Sequence, residues 1–166
     1  MADKKDDVKR NAWLRLGNRE MKQVEQFNQG YIDFLSRAKT EREAVDYILA
    51  TALKHGFQEI DRQGPLKTGQ KIIFAEKGKV CALAVIGREP LDRGFNLVAS
   101  HIDSPRLDLK GRPVYEADNQ VLFKTHYYGG IKKYQWLAIP LALHGVVVKP
   151  GGEVIKINIG EKEDEP

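Results

Sequence analysis

A histidine and an aspartate two positions apart, His101 and Asp103, are the residues whose types and spacing best fit catalytic chemistry. They follow the apolar run 95–100, which predicts a buried strand ending at His101. Residues two apart on an extended chain point to the same side, so both side chains are expected to act together at the mouth of a sheet, where open α/β folds place ligands. A neutral imidazole binds zinc, and metal-bound histidines usually donate their other N–H to a carboxylate or carbonyl.

The same spacing also has an ordinary structural interpretation. His101 would then end a strand with ordinary hydrogen bonds, and Asp103 would cap the turn before Ser104-Pro105. Because H-x-D is a short pattern with many false positives, spacing alone favours this interpretation. No dinucleotide-binding, P-loop, H-E-x-x-H, G-x-S-x-G or paired C-x-x-C motif indicates another chemistry. The other histidines, His55, His126 and His144, have no surroundings that indicate a ligand.

The composition is that of an ordinary globular protein of 166 residues, 42% of them hydrophobic. The net charge of +4 is spread along the chain, and the one basic stretch with aromatic residues, 132–136, is short, so we do not expect nucleic-acid binding.

The chain has a single cysteine, Cys81, in an apolar run. One cysteine excludes a disulfide framework and suits a reducing compartment. The charged start has no apolar segment after it and no run approaches a membrane span, so a cytoplasmic protein without a membrane partner is predicted.

The elements that must position these residues are two helices followed by strands. Apolar spacing predicts a helix over 19–38, and Thr40 with Glu43 predicts a capping box for a second helix that ends at Gly56. The breaker Gly111-Arg112-Pro113 precedes a part that is rich in strands, so we predict an α/β fold that changes domain near residue 108. The predicted strands are 57–60, 71–75, 80–86, 95–100, 121–128, 137–143, 146–149 and 153–159, with hairpins at 76–79 and 150–152.

The segment 100–110, which reads Ser-His-Ile-Asp-Ser-Pro-Arg-Leu-Asp-Leu-Lys, resembles the first metal-ligand motif of the M18 family of metalloaminopeptidases, the aspartyl aminopeptidase family. That motif reads H-x-D-S-P, followed after a short variable stretch by a leucine and a lysine. The two predicted helices, the hairpin and Tyr128-Gly129-Gly130-Ile131 also resemble the family's N-terminal portion, in its clostridial and other bacterial branch. The resemblance covers nearly all of the chain and reverses the preference for the structural interpretation.

The resemblance implies a co-catalytic two-metal site that hydrolyses N-terminal residues from peptides with a free N-terminus. Zinc is the implied metal, with cobalt or manganese as alternatives. His101 is implied to bind one metal. Asp103 is implied to be the carboxylate that supports this histidine without binding the metal, and the family counts it as catalytic. The family's bridging aspartate, glutamate base, remaining carboxylate ligand and last histidine have no match here. The 166-residue chain alone is therefore expected to be inactive and to bind metal weakly.

The resemblance also implies a division of the chain. Residues 1–107 would form the N-terminal part of a mixed-sheet, zinc-exopeptidase-like catalytic domain, and residues 108–166 the first part of a β-rich inserted dimerisation domain. The resemblance implies that the intact protein forms a homo-oligomer, in which dimers assemble into a dodecamer. Where several members carry an acidic W-x-D-R-D-type segment, this chain has Trp136-Leu137-Ala138-Ile139-Pro140, so a preference for acidic N-terminal residues is not expected. Two alternatives stay open: a non-catalytic binding or assembly module derived from such an enzyme, and a related co-catalytic metallo-deacylase.

Overall fold

The computed structural model describes residues 11–61 and 64–161, so the charged start of the chain lies outside the described residues. The chain divides into two compact units, the first ending at Ala38 and the second beginning at Lys39. The first unit holds a single 3₁₀ turn, Ala12–Arg15, and helix α1, Asn18–Arg37, which confirms the first predicted helix. No helix within the described ranges combines the length and the apolar character needed to cross a membrane.

Helix α2, Glu41–Lys54, begins the second unit with the predicted capping box. The Thr40 hydroxyl accepts a hydrogen bond from the Glu43 backbone N–H at 3.3 Å, and the Glu43 carboxylate accepts one from the Thr40 N–H at 2.9 Å. Such a cap contributes about 1 kcal/mol. Gly56 then ends the helix at φ +79°, a left-handed conformation that glycine adopts without a steric penalty.

A three-stranded sheet packs against α2. Its strands are β1, Gln58–Glu59; β2, Lys71–Glu76; and β3, Val80–Val85. Strand β1 pairs parallel with β2, and β2 pairs antiparallel with β3 through the predicted hairpin. The buried apolar side chains come from α2 and β2, so the described core lies between this helix and the sheet: they are Ala44, Val45, Ala52, Ile72 and Ile73.

Two separate antiparallel hairpins follow the three-stranded sheet in the chain. The first joins β4, Arg106–Ala117, to β5, Gln120–Tyr128, and the second joins β6, Leu143–Val148, to β7, Val154–Ile159. The prediction that Gly111-Arg112-Pro113 breaks the chain was wrong, because β4 runs through it. The register shifts between Leu109 and Val114, and such an irregularity accommodates a proline that has no N–H to pair.

Two predicted strands are absent from the described structure. Residues 95–100 are irregular, and the side chains of Phe95, Leu97 and Val98 are 72%, 75% and 97% exposed. An apolar segment becomes a strand only where a neighbour pairs with its backbone, and within the described ranges this one has no such neighbour. The strand predicted over 137–143 is irregular except for Leu143, which begins β6. This segment contains Pro140 and directly follows the single helical turn α3, Lys133–Trp136.

A largely buried histidine links α2 to the second hairpin. Nδ1 of His144 lies 2.9 Å from Oε1 of Glu43, and its Nε2 lies 3.0 Å from Oε1 of Glu161. Partial burial raises the pKa of Glu43, but hydrogen bonds from His144 and Thr40 outweigh this effect and leave the pKa lowered. A second link joins Nζ of Lys156 to Oδ2 of Asp46 at 2.6 Å. His144 therefore has a structural role that fixes α2, and its ring nitrogens are already engaged.

Candidate functional site

The structure brings His101 and Asp103 into direct contact, although no strand delivers them. Both lie in the irregular segment that precedes β4. Nδ1 of His101 lies 2.9 Å from Oδ1 of Asp103 and 3.0 Å from the backbone oxygen of the same residue. The proximity expected from the spacing is therefore observed, and it arises because the loop turns the imidazole back onto the aspartate.

This contact decides which nitrogen of His101 is available to a ligand. A carboxylate and a backbone carbonyl only accept hydrogen bonds, so Nδ1 must be the nitrogen that donates. In the neutral ring the lone pair then resides on Nε2, which has no hydrogen-bond partner within 11–61 and 64–161. The His101 side chain is 82% exposed, whereas that of Asp103 is 32% exposed. The arrangement leaves Nε2 without a partner on an exposed ring, and the contacts at Nδ1 hold the orientation of that ring.

A tyrosine whose role the sequence did not indicate also binds the aspartate. The hydroxyl of Tyr128 donates a hydrogen bond to Oδ2 of Asp103 at 2.7 Å. This bond lowers the pKa of Asp103, and the hydrogen bond from His101 adds to the effect. The same bond and the negative charge of Asp103 raise the pKa of Tyr128. Both oxygens of an ionised Asp103 are thus occupied, one by His101 and the other by Tyr128.

The first hairpin determines where Tyr128 lies. In the register of β4 and β5, Tyr128 is opposite Arg106, the residue that begins β4 directly after Pro105. Gly129 follows at φ +71°, and a Cβ at that position would lie 3.5 Å from Cα of Pro105. The chain therefore leaves β5 through a left-handed residue held close to the H-x-D-S-P segment, and this conformation favours glycine.

The Arg106 guanidinium covers the ring of Tyr128, with Cζ 4.2 Å from the ring centroid. An arginine at this distance over an aromatic face is attracted by the ring quadrupole. Arg106 is held in turn by two carboxylates, Glu41 at 3.0 Å and Asp108 at 2.7 Å. Glu41 is the first residue of α2, so the start of that helix is connected through Arg106 and Tyr128 to Asp103.

The donor atoms of these residues fit one ligand of a metal centre. Nε2 of a neutral histidine is a zinc ligand, and a histidine that donates its other N–H to a carboxylate is the usual form of such a ligand. Zinc takes three or four protein ligands. Within 11–61 and 64–161, no group of three or more histidine, cysteine, aspartate or glutamate side chains is arranged to hold a metal ion. Of the predicted pair, His101 has a ring nitrogen, Nε2, without a hydrogen-bond partner in the part of the chain that the structure describes, whereas both oxygens of Asp103 have one.

The resemblance singled out Tyr128-Gly129-Gly130-Ile131 without giving Tyr128 a role, and the register of the first hairpin is the signal that places Tyr128 near Asp103. A strand ending at Tyr128 is predicted from the sequence, but its partner β4 is hidden by Gly111-Arg112-Pro113. Had the strand been extended back through this breaker to Arg106, pairing in a hairpin would have placed Tyr128 beside the H-x-D-S-P segment. Nothing in the local sequence indicates the contacts of Arg106 with Glu41, because the two residues lie far apart in the chain.

The chain is similar to known proteins over most of its length. The sequence model of the aminopeptidase I zinc metalloprotease (M18) family matches residues 34–166. A probable M18 family aminopeptidase 1 from Borreliella afzelii is 45% identical over 158 residues, which are 95% of this chain and 34% of that protein. The crystal structure of aminopeptidase I from Borrelia burgdorferi B31 matches with a TM-score of 0.88 at 44% identity and covers 94% of this chain and 39% of that one. For an M18 aminopeptidase from Thermotoga maritima the TM-score is 0.80 at 43% identity, with coverages of 90% and 33%. This chain thus spans about a third of the length of the curated relatives that it matches.

Proposed function

This chain belongs to the M18 family of aminopeptidases, and from that premise we propose that it is the N-terminal portion of a metal-dependent enzyme that hydrolyses N-terminal residues from peptides. The observation that supports the proposal is the contact of Nδ1 of His101 with Oδ1 of Asp103 at 2.9 Å, which leaves Nε2 to bind a metal. In the complete enzyme the site would hold two divalent metals, zinc or alternatively cobalt or manganese. The substrates would be peptides with a free N-terminus.

The residues of this chain would prepare one metal ligand. Two bound metals would polarise the scissile carbonyl and lower the pKa of the attacking water. His101 would supply Nε2 to one of them. Asp103 would keep the proton on Nδ1, orient the ring and make Nε2 more basic, as carboxylates behind metal-bound histidines do. The remaining ligands and the general base would come from parts of the enzyme that this chain does not match.

The division of the chain is part of the same proposal. Residues 1–107 would belong to the catalytic domain, and residues 108–166 would begin a β-rich dimerisation domain in a cytoplasmic homo-oligomer. The two hairpins that follow Pro105 support this division, because within 106–161 they form no sheet with β1, β2 or β3. The proposed boundary near residue 108 is a domain boundary of the complete protein. It is a different division from the one at Ala38, which separates the two compact units of this chain.

The complete protein that contains this chain is expected to release the N-terminal residue from peptides with a free amino group. We expect no release from the same peptides after N-acetylation, loss of activity after dialysis against a chelator, and recovery with zinc, because the metals supply the Lewis acid and the nucleophile. The measurement is product formation by chromatography across matched free and acetylated peptides and a set of N-acyl amino acids. Hydrolysis of N-acyl amino acids alone would indicate the metallo-deacylase. No hydrolysis with any of the three metals would favour the assembly module.

The 166-residue chain by itself is expected to be inactive on the same peptides and to bind zinc weakly. One histidine provides a third or a quarter of the ligands that a stable zinc site needs. Isothermal titration with zinc measures this directly, and the His101→Ala form of the same chain reports binding that does not involve the site. Tight stoichiometric zinc that disappears in His101→Ala would show that the chain contains a complete site and would contradict the proposal.

A further inference from the structure

Among the described residues, the hydroxyl of Tyr128 is the one hydrogen-bond donor that reaches Asp103 from another element of the fold, 25 residues along the chain. We propose that Tyr128 is a positioning residue, which holds Asp103 so that His101 presents Nε2 to the metal. This inference rests on the proposed function, because it assigns a role to Tyr128 only if His101 is a metal ligand.

The first step is the geometry of the aspartate. A carboxylate bound at a single oxygen can rotate about its side-chain bonds and still keep that hydrogen bond. Asp103 is bound at both oxygens, with His101 on Oδ1 and Tyr128 on Oδ2, so rotation would break one of the two bonds. Its side chain is 32% exposed, so neighbouring atoms enclose it only in part. The tyrosine hydroxyl therefore supplies the restraint.

The second step is what restrains the tyrosine. Its ring lies beneath the guanidinium of Arg106, which is bound by Glu41 from α2 and by Asp108 from β4. The pairing of Arg106 with Tyr128 in the hairpin and the close approach of Gly129 to Pro105 fix the same end of β5. Tyr128 is thus held on its ring, by its backbone and at its hydroxyl, as a group that orients another residue must be.

A purely structural role predicts a different experimental result. If the hydroxyl only attached the hairpin to the loop, its removal would lower stability without changing the affinity for metal. If it orients Asp103, its removal would lower the affinity for metal while the hairpin and the ring contact with Arg106 remain. Partners behind a metal ligand typically change metal affinity or activity by about 10–100-fold. Metal affinity therefore separates the two roles.

The test uses the complete enzyme with Tyr128→Phe, which removes the hydroxyl and keeps the ring. The adjacent Tyr127→Phe is the matched control, because Tyr127 also lies at the end of β5 beneath a cation, with Nζ of Lys133 4.0 Å from its ring centroid. Zinc dissociation constants are measured by competition with a chromophoric chelator, and thermal unfolding of the metal-free forms is recorded alongside. We expect Tyr128→Phe to weaken the binding of one zinc by about 10–100-fold and Tyr127→Phe to leave it unchanged.

The His101→Ala form distinguishes the two proposals from each other. If His101→Ala loses one zinc while Tyr128→Phe keeps wild-type affinity, the role of Tyr128 is overturned and the proposed function stands. A lowered melting temperature with unchanged affinity in Tyr128→Phe also overturns that role and assigns a structural one. If His101→Ala binds both metals as the wild type does, the proposed ligand is wrong and the role of Tyr128 fails with it. Equal weakening by Tyr127→Phe would also overturn the proposal.

Discussion

Replacing His101 with alanine in the complete enzyme is expected to remove one of the two bound metals and to lower kcat/KM by at least about a hundredfold. Loss of a group that only supports a ligand already costs up to about a hundredfold, and loss of the ligand itself should cost more. In the 166-residue chain the effect of the same substitution on folding should stay within about 0.5 kcal/mol, because the side chain there is 82% exposed. Metal content by emission spectroscopy, initial rates on a free peptide and thermal unfolding measure the three quantities.

His126→Ala is the matched control for this substitution. His126 is also an exposed histidine of the second unit, 57% accessible, and its Nε2 lies 3.8 Å from Oδ2 of Asp108 rather than beside the proposed ligand. It is expected to keep both metals and the wild-type rate. Full activity and two metals in His101→Ala would exclude His101 as a ligand. Equal losses in both variants would point to a general effect of removing a histidine.

The parts of the fold that follow from the sequence are those decided by neighbouring residues. The boundaries of α2 depend on Thr40, Glu43 and Gly56, which act within one or two turns of the helix. The hairpin of β2 and β3 depends on the turn at Lys77-Gly78, where positive φ angles match the twist of the flanking strands. The contact between His101 and Asp103 is also local, and the spacing predicted their proximity, whereas their roles at a metal were implied by the resemblance to the family.

The remaining parts depend on partners that lie far apart in the chain. Strand β4 continues through Pro113 because β5 pairs with it on both sides of the register shift, and no local signal announces such a partner. The proposed site divides in the same way. Its local half, His101 and Asp103, was predicted from the sequence, whereas the half supplied by Tyr128 and Arg106 exists only after the hairpin has formed. Long-range pairing, rather than weak local preference, limited the prediction.

The apolar run 95–100 is exposed in the structure, although the sequence predicts that it is buried. Val98 is 97% exposed, and Phe95 and Leu97 are nearly as accessible. Apolar runs exposed to this degree usually contact another part of the protein or a partner. This chain spans about a third of the length of the relatives that it matches. On the proposal that it is the N-terminal portion of such an enzyme, we expect the rest of the enzyme to supply a neighbouring strand for this segment.

The substitution Val98→Asp should therefore behave differently in the two contexts. In the complete protein it is expected to lower the free energy of unfolding by about 3–5 kcal/mol, because it places an unpaired charge in a buried strand. In the 166-residue chain it should change stability by no more than about 0.5 kcal/mol, because the side chain already faces solvent. Denaturant unfolding of both forms gives the comparison.

Leu91→Asp provides the control, since Leu91 is 78% exposed in the 3₁₀ turn Leu91–Arg93, outside the apolar run. Leu91→Asp should change the free energy of unfolding little in both contexts. It therefore distinguishes an effect of placing the charge at position 98 from a general effect of adding a negative charge. A complete protein that tolerates Val98→Asp as well as Leu91→Asp would place residues 95–100 at the surface. The apolar run would then be available to a partner, and the assembly module would explain this part of the sequence better than a buried strand of an enzyme.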